Sequence, residues 1–345
     1  MMARALALAG KGLYTATPNP RVGCVLAKDG AVVGEGWHEK AGAPHAEANA
    51  LAAAGGAAKG ATAYVTLEPC NHQGRTPPCA QALIRAGVAR VVAAVRDPNP
   101  KAQLGAETLE AAGIRLDIGL MEDEARELNI GFFSRMTRSR PWVRMKIAAT
   151  LDGRTALRDG RSRWITGPEA RADGHHWRAR ACAILTGIGT VKADNPRLTV
   201  REVATPRQPL RVVVDSRLEI ADGARILEGE RVLVFAGREG RTPKNAEMVA
   251  LPNANGKVEL PAMLAELARR GVNELHVEAG FRLNGSLVRE GCVDEFLVYL
   301  NPSLLGDSAQ GMVDLPAVDA LEARPRLRLH AIARLGNELR ILARR

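Results

Sequence analysis

His45 and Glu47, then Cys70 with Cys79 nine residues further on, are the residues whose types and spacing could do chemistry in this sequence. One imidazole and two thiolates make three protein ligands for zinc and leave the fourth tetrahedral position to water, as a hydrolytic zinc requires. Glu47 stands two residues past the histidine and is free of the metal, so it is placed to move protons for that water.

An H-x-E followed by P-C-x-x-C is the pattern of zinc-dependent nucleobase deaminases. Here Glu47 completes the first half, while the second is stretched from Pro69-Cys70 to Cys79, so the intervening chain must loop out between the ligands. Taken singly, the histidine reads as a helix cap and each cysteine as a buried thiol. Together, with Glu68 before Pro69 and with the paired Pro77 and Pro78, they read as a catalytic zinc site.

The elements that must position these groups follow from pattern and punctuation. Residues 3–9 predict a helix ended by Gly10 and Gly12, and Pro18 and Pro20 break the chain before a strand at 22–26. Asp29-Gly30 is a hairpin signal that returns a second strand over 32–37. The alanine-rich stretch 45–54 predicts a helix whose start carries His45 and Glu47, where the positive end of the helix dipole favours a neutral histidine and an ionised Glu47. A third strand at 63–67 delivers Glu68, Pro69 and Cys70 at its C-terminal end, where open α/β sheets place their ligand sites. A helix at 79–86, a strand at 91–95, a helix at 107–112, a strand at 114–118 and a helix at 122–128 continue the alternation. The stretch 134–141 is polar, basic and closed by a proline, and the domain boundary is placed there.

Beyond it, 142–149 predicts a buried strand and 170–179 a helix. A strand at 183–185 ends in Gly187 and Gly189, which suit either a phosphate at backbone N–H groups or an ordinary turn. Strands at 210–214, 231–235 and 275–277 follow, and Asp215-Ser216-Arg217 and Glu278-Ala-Gly280 stand at two of their ends. Small and polar strand ends line nucleotide clefts and also make plain strand-to-helix turns, and pattern alone leaves both open.

A chain of 345 residues exceeds the usual single-domain size and suggests two domains, residues 1–140 and 141–345. Its net charge of +10 invites nucleic acid as a partner, so the location of that charge matters. Residues 1–140 carry 16 Lys and Arg against 13 Asp and Glu, and the remainder carries 32 against 25, so the half with the zinc pattern is nearly balanced. Ten basic and four acidic residues lie between Arg140 and Arg180, with only Trp142, Trp164 and Trp177 as aromatics, too few for base stacking. A basic pocket for a phosphorylated small molecule explains that cluster as well as an RNA groove does. The apolar run in residues 1–10 is interrupted by Arg4, too short to span a bilayer and without a signal-type cleavage pattern. Cys24, Cys182 and Cys292 are scattered in apolar runs and do not resemble a disulfide framework, so a reducing cytoplasm is the expected compartment.

Specific motifs then carry a resemblance over nearly the whole chain. They are Pro18-Asn-Pro20, Val22-Gly-Cys24, Pro44-His-Ala-Glu47 and the run from Tyr64 through Cys70 to Cys79 in the first half. In the second half they are Lys146, Leu151-Asp-Gly-Arg154, Trp164-Ile-Thr166, Gly189-Thr190, Ala193-Asp194, Leu198-Thr199, Asp215-Ser216 and Glu278-Ala-Gly280. The chain resembles the bacterial bifunctional riboflavin biosynthesis proteins, in which a pyrimidine deaminase is fused to a reductase. The resemblance implies an α/β protein with a cytidine-deaminase-like N-terminal domain and a dihydrofolate-reductase-like C-terminal domain, using Zn2+ and NADPH. It implies deamination of 2,5-diamino-6-ribosylamino-4(3H)-pyrimidinone 5′-phosphate and then reduction of the ribosyl group to ribityl. A nucleic-acid-editing deaminase with a basic binding domain is the alternative from another class. The expected partner is thus a phosphorylated pyrimidine, with no nucleic acid or membrane and with assembly into a homo-oligomer.

By position, the resemblance places Asn19 and His38 in the pyrimidine pocket, with His72 and Arg75 near the ribose phosphate. It places Ala148, Trp164, Thr190, Asp194, Ser216 and the segment Gly280, Phe281, Arg282, Leu283, Asn284, Gly285 and Ser286 at NADPH. Lys146, Ser162, Arg178, Leu198, Arg201 and Glu278 fall at the reductase substrate, and the sequence leaves open whether Lys146 or Glu278 handles protons there. Ser216 and Arg217 suit a 2′-phosphate where Asp215 would suit free ribose hydroxyls, which favours NADPH over NADH. The sequence departs from the family at residues 100–105, one residue short, at Arg161, where an acidic residue is common, and at Phe281-Arg282, where smaller residues stand.

Overall fold

The computed structural model describes residues 1–72, 77–102, 104–230 and 232–345. The chain divides into two compact units, Met1–Ser139 and Arg140–Arg345.

The first unit runs α1 (Met2–Gly10), β1 (Gly23–Lys28), β2 (Ala31–Trp37), α2 (Ala46–Ala54), β3 (Thr62–Val65), α3 (Cys79–Arg85), β4 (Arg90–Ala93), α4 (Gly105–Ala111), β5 (Arg115–Ile118), α5 (Glu122–Leu128) and α6 (Ile130–Arg138). Its sheet has the order β2-β1-β3-β4-β5, with β1 antiparallel to both neighbours and β3, β4 and β5 parallel. One face packs Ala46 and Ala50 of α2, Ala80 and Leu83 of α3 and Leu109 of α4 on Leu26, Val65 and Val91. The other packs α1, α5 and α6 through Ala5, Leu8, Ala125, Phe132 and Phe133. Two glycines of β2 let α2 lie backbone to backbone on the sheet. A Cβ added at Gly36 would stand 2.4 Å from the Ala46 carbonyl oxygen, and one at Gly34 2.4 Å from that of Ala50.

The polar stretch after residue 134 holds the division between the units, after Ser139. Residues 134–138 themselves are the last turn of α6, which buries Phe132, Phe133 and Ser134, lays Arg135 over the Phe132 ring and leaves Arg138 exposed.

The second unit runs β6 (Trp142–Thr150), β7 (Arg154–Ala156), α7 (Pro168–Arg180), β8 (Ala183–Gly187), α8 (Ile188–Asp194), β9 (Leu210–Val214), β10 (Val232–Ala236), β11 (Ala246–Ala250), α9 (Leu260–Arg269), β12 (Glu274–Val277), α10 (Phe281–Arg289), β13 (Glu295–Asn301), β14 (Gln310–Gly311), β15 (Arg328–Leu335) and β16 (Glu338–Arg344). The main sheet has the order β11-β10-β9-β8-β12-β6-β13-β16-β15 and is parallel except where β16 pairs with β13 and β15. Leu260, Met263, Leu264 and Leu287 of α9 and α10 cover one face of it. Ala170 of α7 packs on Leu297 and Tyr299 of β13 on the other, where Val191 of α8 covers Ile184 and Val213. The strand ends after β6, β8, β9 and β12 therefore share one edge of the sheet, the carboxyl edge at which α/β proteins bind ligands. Arg144 is 1 % exposed and ion-paired to Glu274 at 3.0 Å and Glu295 at 2.6 Å, tying the three central strands together.

Candidate functional site

In the first unit, two helix starts and one strand end converge. His45 is the N-cap of α2 in an extended conformation, Cys79 opens α3, and Cys70 follows β3. His45 Nδ1 lies 3.3 Å from Cys79 Sγ and 3.6 Å from Cys70 Sγ, and the three ligand atoms all lie within 4.8 Å of one another. Zinc bonds of about 2.0 Å to nitrogen and 2.3 Å to sulfur, at a tetrahedral angle, require N···S separations of about 3.6 Å. The side chains stand at the spacing zinc demands, so the donor set fits the ion.

Glu47 is 3 % exposed on the first turn of α2. Burial, and next the facing Cys70 sulfur, push its carboxyl up to about 7. A carboxyl near neutrality can both accept and return a proton. The contact with Cys79, reinforced by His45, lowers the Cys70 thiol, while the same contact and burial raise Cys79, so one proton is shared across the pair.

A cavity of about 170 Å³ opens onto these groups. Asn19 and His38 line it, and their roles follow from donor arithmetic. His38 Nδ1 is 3.1 Å from the Pro44 carbonyl, which can only accept, so the proton sits on Nδ1 and Nε2 is a lone pair. The Asn19 amide nitrogen, 3.0 Å away, therefore donates to Nε2 and leaves Asn19 Oδ1 as an acceptor at the cavity. His72 also lines the cavity, its Nδ1 buried without a hydrogen-bond partner among the described residues. Arg75 lies outside the described residues.

Glu68, Asp97 and Arg135 line the same cavity; Glu68 counted only toward the zinc pattern in the sequence, and Asp97 and Arg135 had no role there. Glu68 Oε1 accepts the Ala106 N–H at 2.9 Å and Oε2 accepts the Asp97 N–H at 3.2 Å, pinning the start of α4 and the chain after β4 beneath Cys70. Burial raises Asp97 to about 7. The only sequence signal for Asp97 was its place just after a strand end. Gly105 closes the floor, since an added Cβ would lie 1.7 Å from the Pro69 carbonyl oxygen. The shortened segment before it thus still supplies the glycine that close approach requires.

In the second unit, Arg178 of α7 grips Glu278, which follows β12, through Nε at 2.5 Å and NH2 at 2.9 Å, and its NH1 reaches the Thr199 carbonyl at 3.3 Å. The Arg178 guanidinium and His276 hold Glu278 well below the usual carboxylate range despite its burial. Lys146 of β6 sits 5.9 Å from the Tyr299 ring centroid, and burial lowers its pKa, partly offset by Glu278. Leu198, at φ 50, turns the chain so that Thr199 and Arg201 follow beside Arg178. Lys146, Arg178, Leu198, Arg201 and Glu278 are therefore gathered at the carboxyl edge. Ser162 and Trp164 lie before α7, Trp164 largely exposed with the Arg171 guanidinium 4.9 Å from its ring centre.

Gly280 is the N-cap of α10 with no side-chain cap, and Thr190 Oγ1 lies 3.6 Å from where a Gly280 Cβ would be. The starts of α8 and α10 are therefore adjacent, and Gly189 faces open space. Two uncapped helix starts side by side fit a pyrophosphate. Phe281, Arg282 and Leu283 form the first turn of α10, whereas Asn284 and Gly285 turn toward the 312–314 segment. Asn284 Nδ2 donates to the Met312 carbonyl at 3.4 Å, and Ser286 Oγ to that of Arg282 at 3.3 Å. Ala148 lies on β6, and the Asp194 carbonyl accepts from Arg163 at 2.5 Å. Ser216 Oγ accepts the Val258 N–H at 3.2 Å, and Arg238 donates to the Arg217 carbonyl at 2.7 Å, a second cation at that strand end which sequence reasoning missed. Asp215 is fully buried and its carboxylate accepts the Ile220 N–H at 2.8 Å, so it faces away from solvent.

Comparison with known proteins gives these two sites their context. Residues 1–95 match the cytidine and deoxycytidylate deaminase zinc-binding region, and residues 141–341 match the RibD C-terminal domain. The riboflavin biosynthesis protein RibD of Escherichia coli K12 is 46% identical over 98% of this chain and 96% of its own length. The chain belongs to the RibD family. The RibD protein of Aquifex aeolicus is 42% identical over 100% of this chain and 97% of its own. The solved structure of Acinetobacter baumannii RibD superposes with a TM-score of 0.93 at 41% identity, covering 99% of this chain and 97% of that one. A Thermotoga maritima diaminohydroxyphosphoribosylaminopyrimidine deaminase/5-amino-6-(5-phosphoribosylamino)uracil reductase superposes at 0.90 with 34% identity, covering 99% and 97%.

As a RibD protein the chain is a bifunctional deaminase and reductase of riboflavin biosynthesis, and an editing deaminase is not favoured. Its fold is α/β, deaminase-like then dihydrofolate-reductase-like. Zn2+ fits the His45, Cys70 and Cys79 donors, and NADPH fits the reductase domain. Zinc, when held there, supplies Lewis acidity that makes water a nucleophile near neutral pH. NADPH, when bound, supplies the hydride. Among the described residues, no helix is long and apolar enough to cross a membrane.

Proposed function

We propose that residues 1–140 hydrolytically deaminate 2,5-diamino-6-ribosylamino-4(3H)-pyrimidinone 5′-phosphate, and that residues 141–345 reduce the ribosyl group of the product to ribityl with NADPH. The observation that carries the reading is the 3.3 and 3.6 Å spacing of the zinc donors beside a buried Glu47. Glu47 takes one proton from the attacking water to the ring nitrogen and then carries the hydroxyl proton of the tetrahedral adduct to the departing amine, which leaves as ammonia, while Asn19, held by His38, orients the pyrimidine. His72 and Arg75 take the phosphate. In the reductase, Arg178 and Arg201 hold the phosphorylated substrate with Ser162 and Leu198, and Lys146 and Glu278 stand where a proton must be moved as C1′ accepts hydride. Ala148, Trp164, Thr190, Asp194, Ser216 and residues 280–286 hold NADPH.

The reading takes a small phosphorylated pyrimidine as partner and no nucleic acid, supported by the near balance of charge in residues 1–140. It places the enzyme in the cytoplasm, because thiolate ligands must stay reduced to hold metal. It also has the chain form a homo-oligomer through the hairpin of β15 and β16. A bulge between Leu329 and Ala331 brings Leu329 and Ile332 onto one side of that hairpin with Leu339, all exposed. The test is an assay of purified protein with the pyrimidine substrate, with and without NADPH, alongside Cys79→Ala. Ammonia release without NADPH, reduction only with it, and loss of zinc and of ammonia release in Cys79→Ala, which should still reduce deaminated substrate supplied directly, are expected. Unchanged zinc content in that variant would sink the site assignment.

A further inference from the structure

The segment 198–202 that carries Leu198 and Arg201 is held from three directions. Gln208 clamps Val200, accepting its N–H at 2.8 Å and donating to its carbonyl at 3.1 Å. Arg178 donates to the Thr199 carbonyl. One helical turn earlier on α7, His175 Nδ1 lies 3.2 Å from the Arg201 backbone nitrogen. The N–H can only donate, so Nδ1 must present a lone pair and the ring must be neutral, with its proton on Nε2. Nε2 lies 3.9 Å from Glu202 Oε1, too far for a hydrogen bond, and the ring is 5 % exposed.

We propose that His175 is a positioning residue of the reductase, whose neutral ring fixes the backbone of Arg201 for the phosphorylated substrate and whose protonation releases it. This rests on the placement of that substrate against Arg178, Arg201 and Glu278 proposed above. A proton on Nδ1 would set one N–H against another and break the contact. The charged groups facing the ring are Arg178 on its own helix, Arg201 and Glu202 on the segment, and Glu278 beyond β12. Burial first, and then Arg178, lower His175 to about 4, so the ring is an acceptor throughout the neutral range. An unpaired acceptor-to-donor change therefore begins only in acid.

The experiment uses full-length, zinc-loaded protein with NADPH and the deaminated pyrimidine substrate, comparing wild type with His175→Ala, His175→Asn and Arg201→Ala. Asparagine can present Oδ1 near the place of Nδ1 and does not titrate. Loss of one hydrogen bond predicts a reductase KM raised about three- to tenfold in His175→Ala, with kcat and NADPH Kd within about twofold. His175→Asn should return KM to within about twofold of wild type. The ratio of wild-type KM to that of His175→Asn, measured from pH 8 to 4, should be flat above about 5 and about doubled at pH 4, where about half of the wild-type rings carry the second proton, since shared titrations of substrate and protein cancel. An unchanged KM in His175→Ala, an asparagine variant as impaired as the alanine one, or a flat ratio each overturns the inference. Arg201→Ala separates its failure from that of the underlying placement. A raised KM there with both His175 variants at wild type sinks the His175 role alone, and an unchanged KM there sinks the placement and the inference with it.

Discussion

Burial gives the Glu47 carboxyl the proton affinity that its proposed role as proton carrier needs. At about 7 it sits where both protonation states are populated, and its role can be removed without touching the metal donors. Glu47→Gln is expected to retain zinc by metal analysis, to lose deamination by ~10²-fold or more, and to keep reductase activity on deaminated substrate. Near wild-type ammonia release would remove Glu47 from the mechanism. At the other centre, Ser216 and Arg217 suit a 2′-phosphate, and the burial of Asp215 takes away the competing acceptor for ribose hydroxyls. The double change Ser216→Ala, Arg217→Ala should weaken NADPH by about ten- to a hundredfold and leave NADH affinity nearly as it was, as for a charge-assisted contact of roughly 1.5–3 kcal/mol. If titration calorimetry finds the same preference in both proteins, the phosphate is read elsewhere, with Arg238 the next residue to replace.

At the scale of elements, β2 and α2 decide where the zinc donors stand. Gly36 puts the strand backbone against the first turn of the helix that begins at His45, so space for a side chain is missing where the site is built. Gly36→Val should force α2 away from the sheet, costing roughly 1–3 kcal/mol as overpacking does, and should lower zinc occupancy while reductase kcat is kept. Retained zinc with unchanged thermal unfolding of the first unit would show that the contact yields cheaply. Elements with strong periodicity were legible in the chain: the predicted helix at 122–128 is α5 (Glu122–Leu128), and the predicted strand at 210–214 is β9 (Leu210–Val214). The inner role of Arg135 was not, because Arg135 and Arg138 read alike as charges, whereas only Arg138 is exposed and Arg135 lies over Phe132 at the cavity. Past residue 286 no element stands out from pattern, and that stretch forms β13, β14, β15 and β16.

At the scale of the molecule, β15 ends the nine-stranded sheet as an edge whose apolar side chains stay exposed, with Leu329 at 66% and Ile332 at 57%. Edge strands of this kind invite pairing unless charged or covered. A second copy of the chain would cover it, so Ile332→Asp should shift the protein toward monomer in sedimentation without lowering zinc content. A wild-type monomer at micromolar concentration would remove the hairpin from consideration as an interface.

The sequence by itself determined the candidate metal donors, the carboxyl proposed to carry protons and the alternation of helices and strands, because these depend on residue type and on periodicity over a few residues. His45, Glu47, Cys70 and Cys79 could be named from their order alone. Only the tertiary structure decided that Glu68 pins the floor of the deaminase cavity, that Asp97 and Arg135 reach it, and that His175 holds Arg201. Each of these links residues more than twenty positions apart. The physical reason lies in the partner: a ligand set advertises its chemistry in its own side chains, whereas a buried carboxylate or imidazole acquires its role from whichever backbone N–H the fold brings against it.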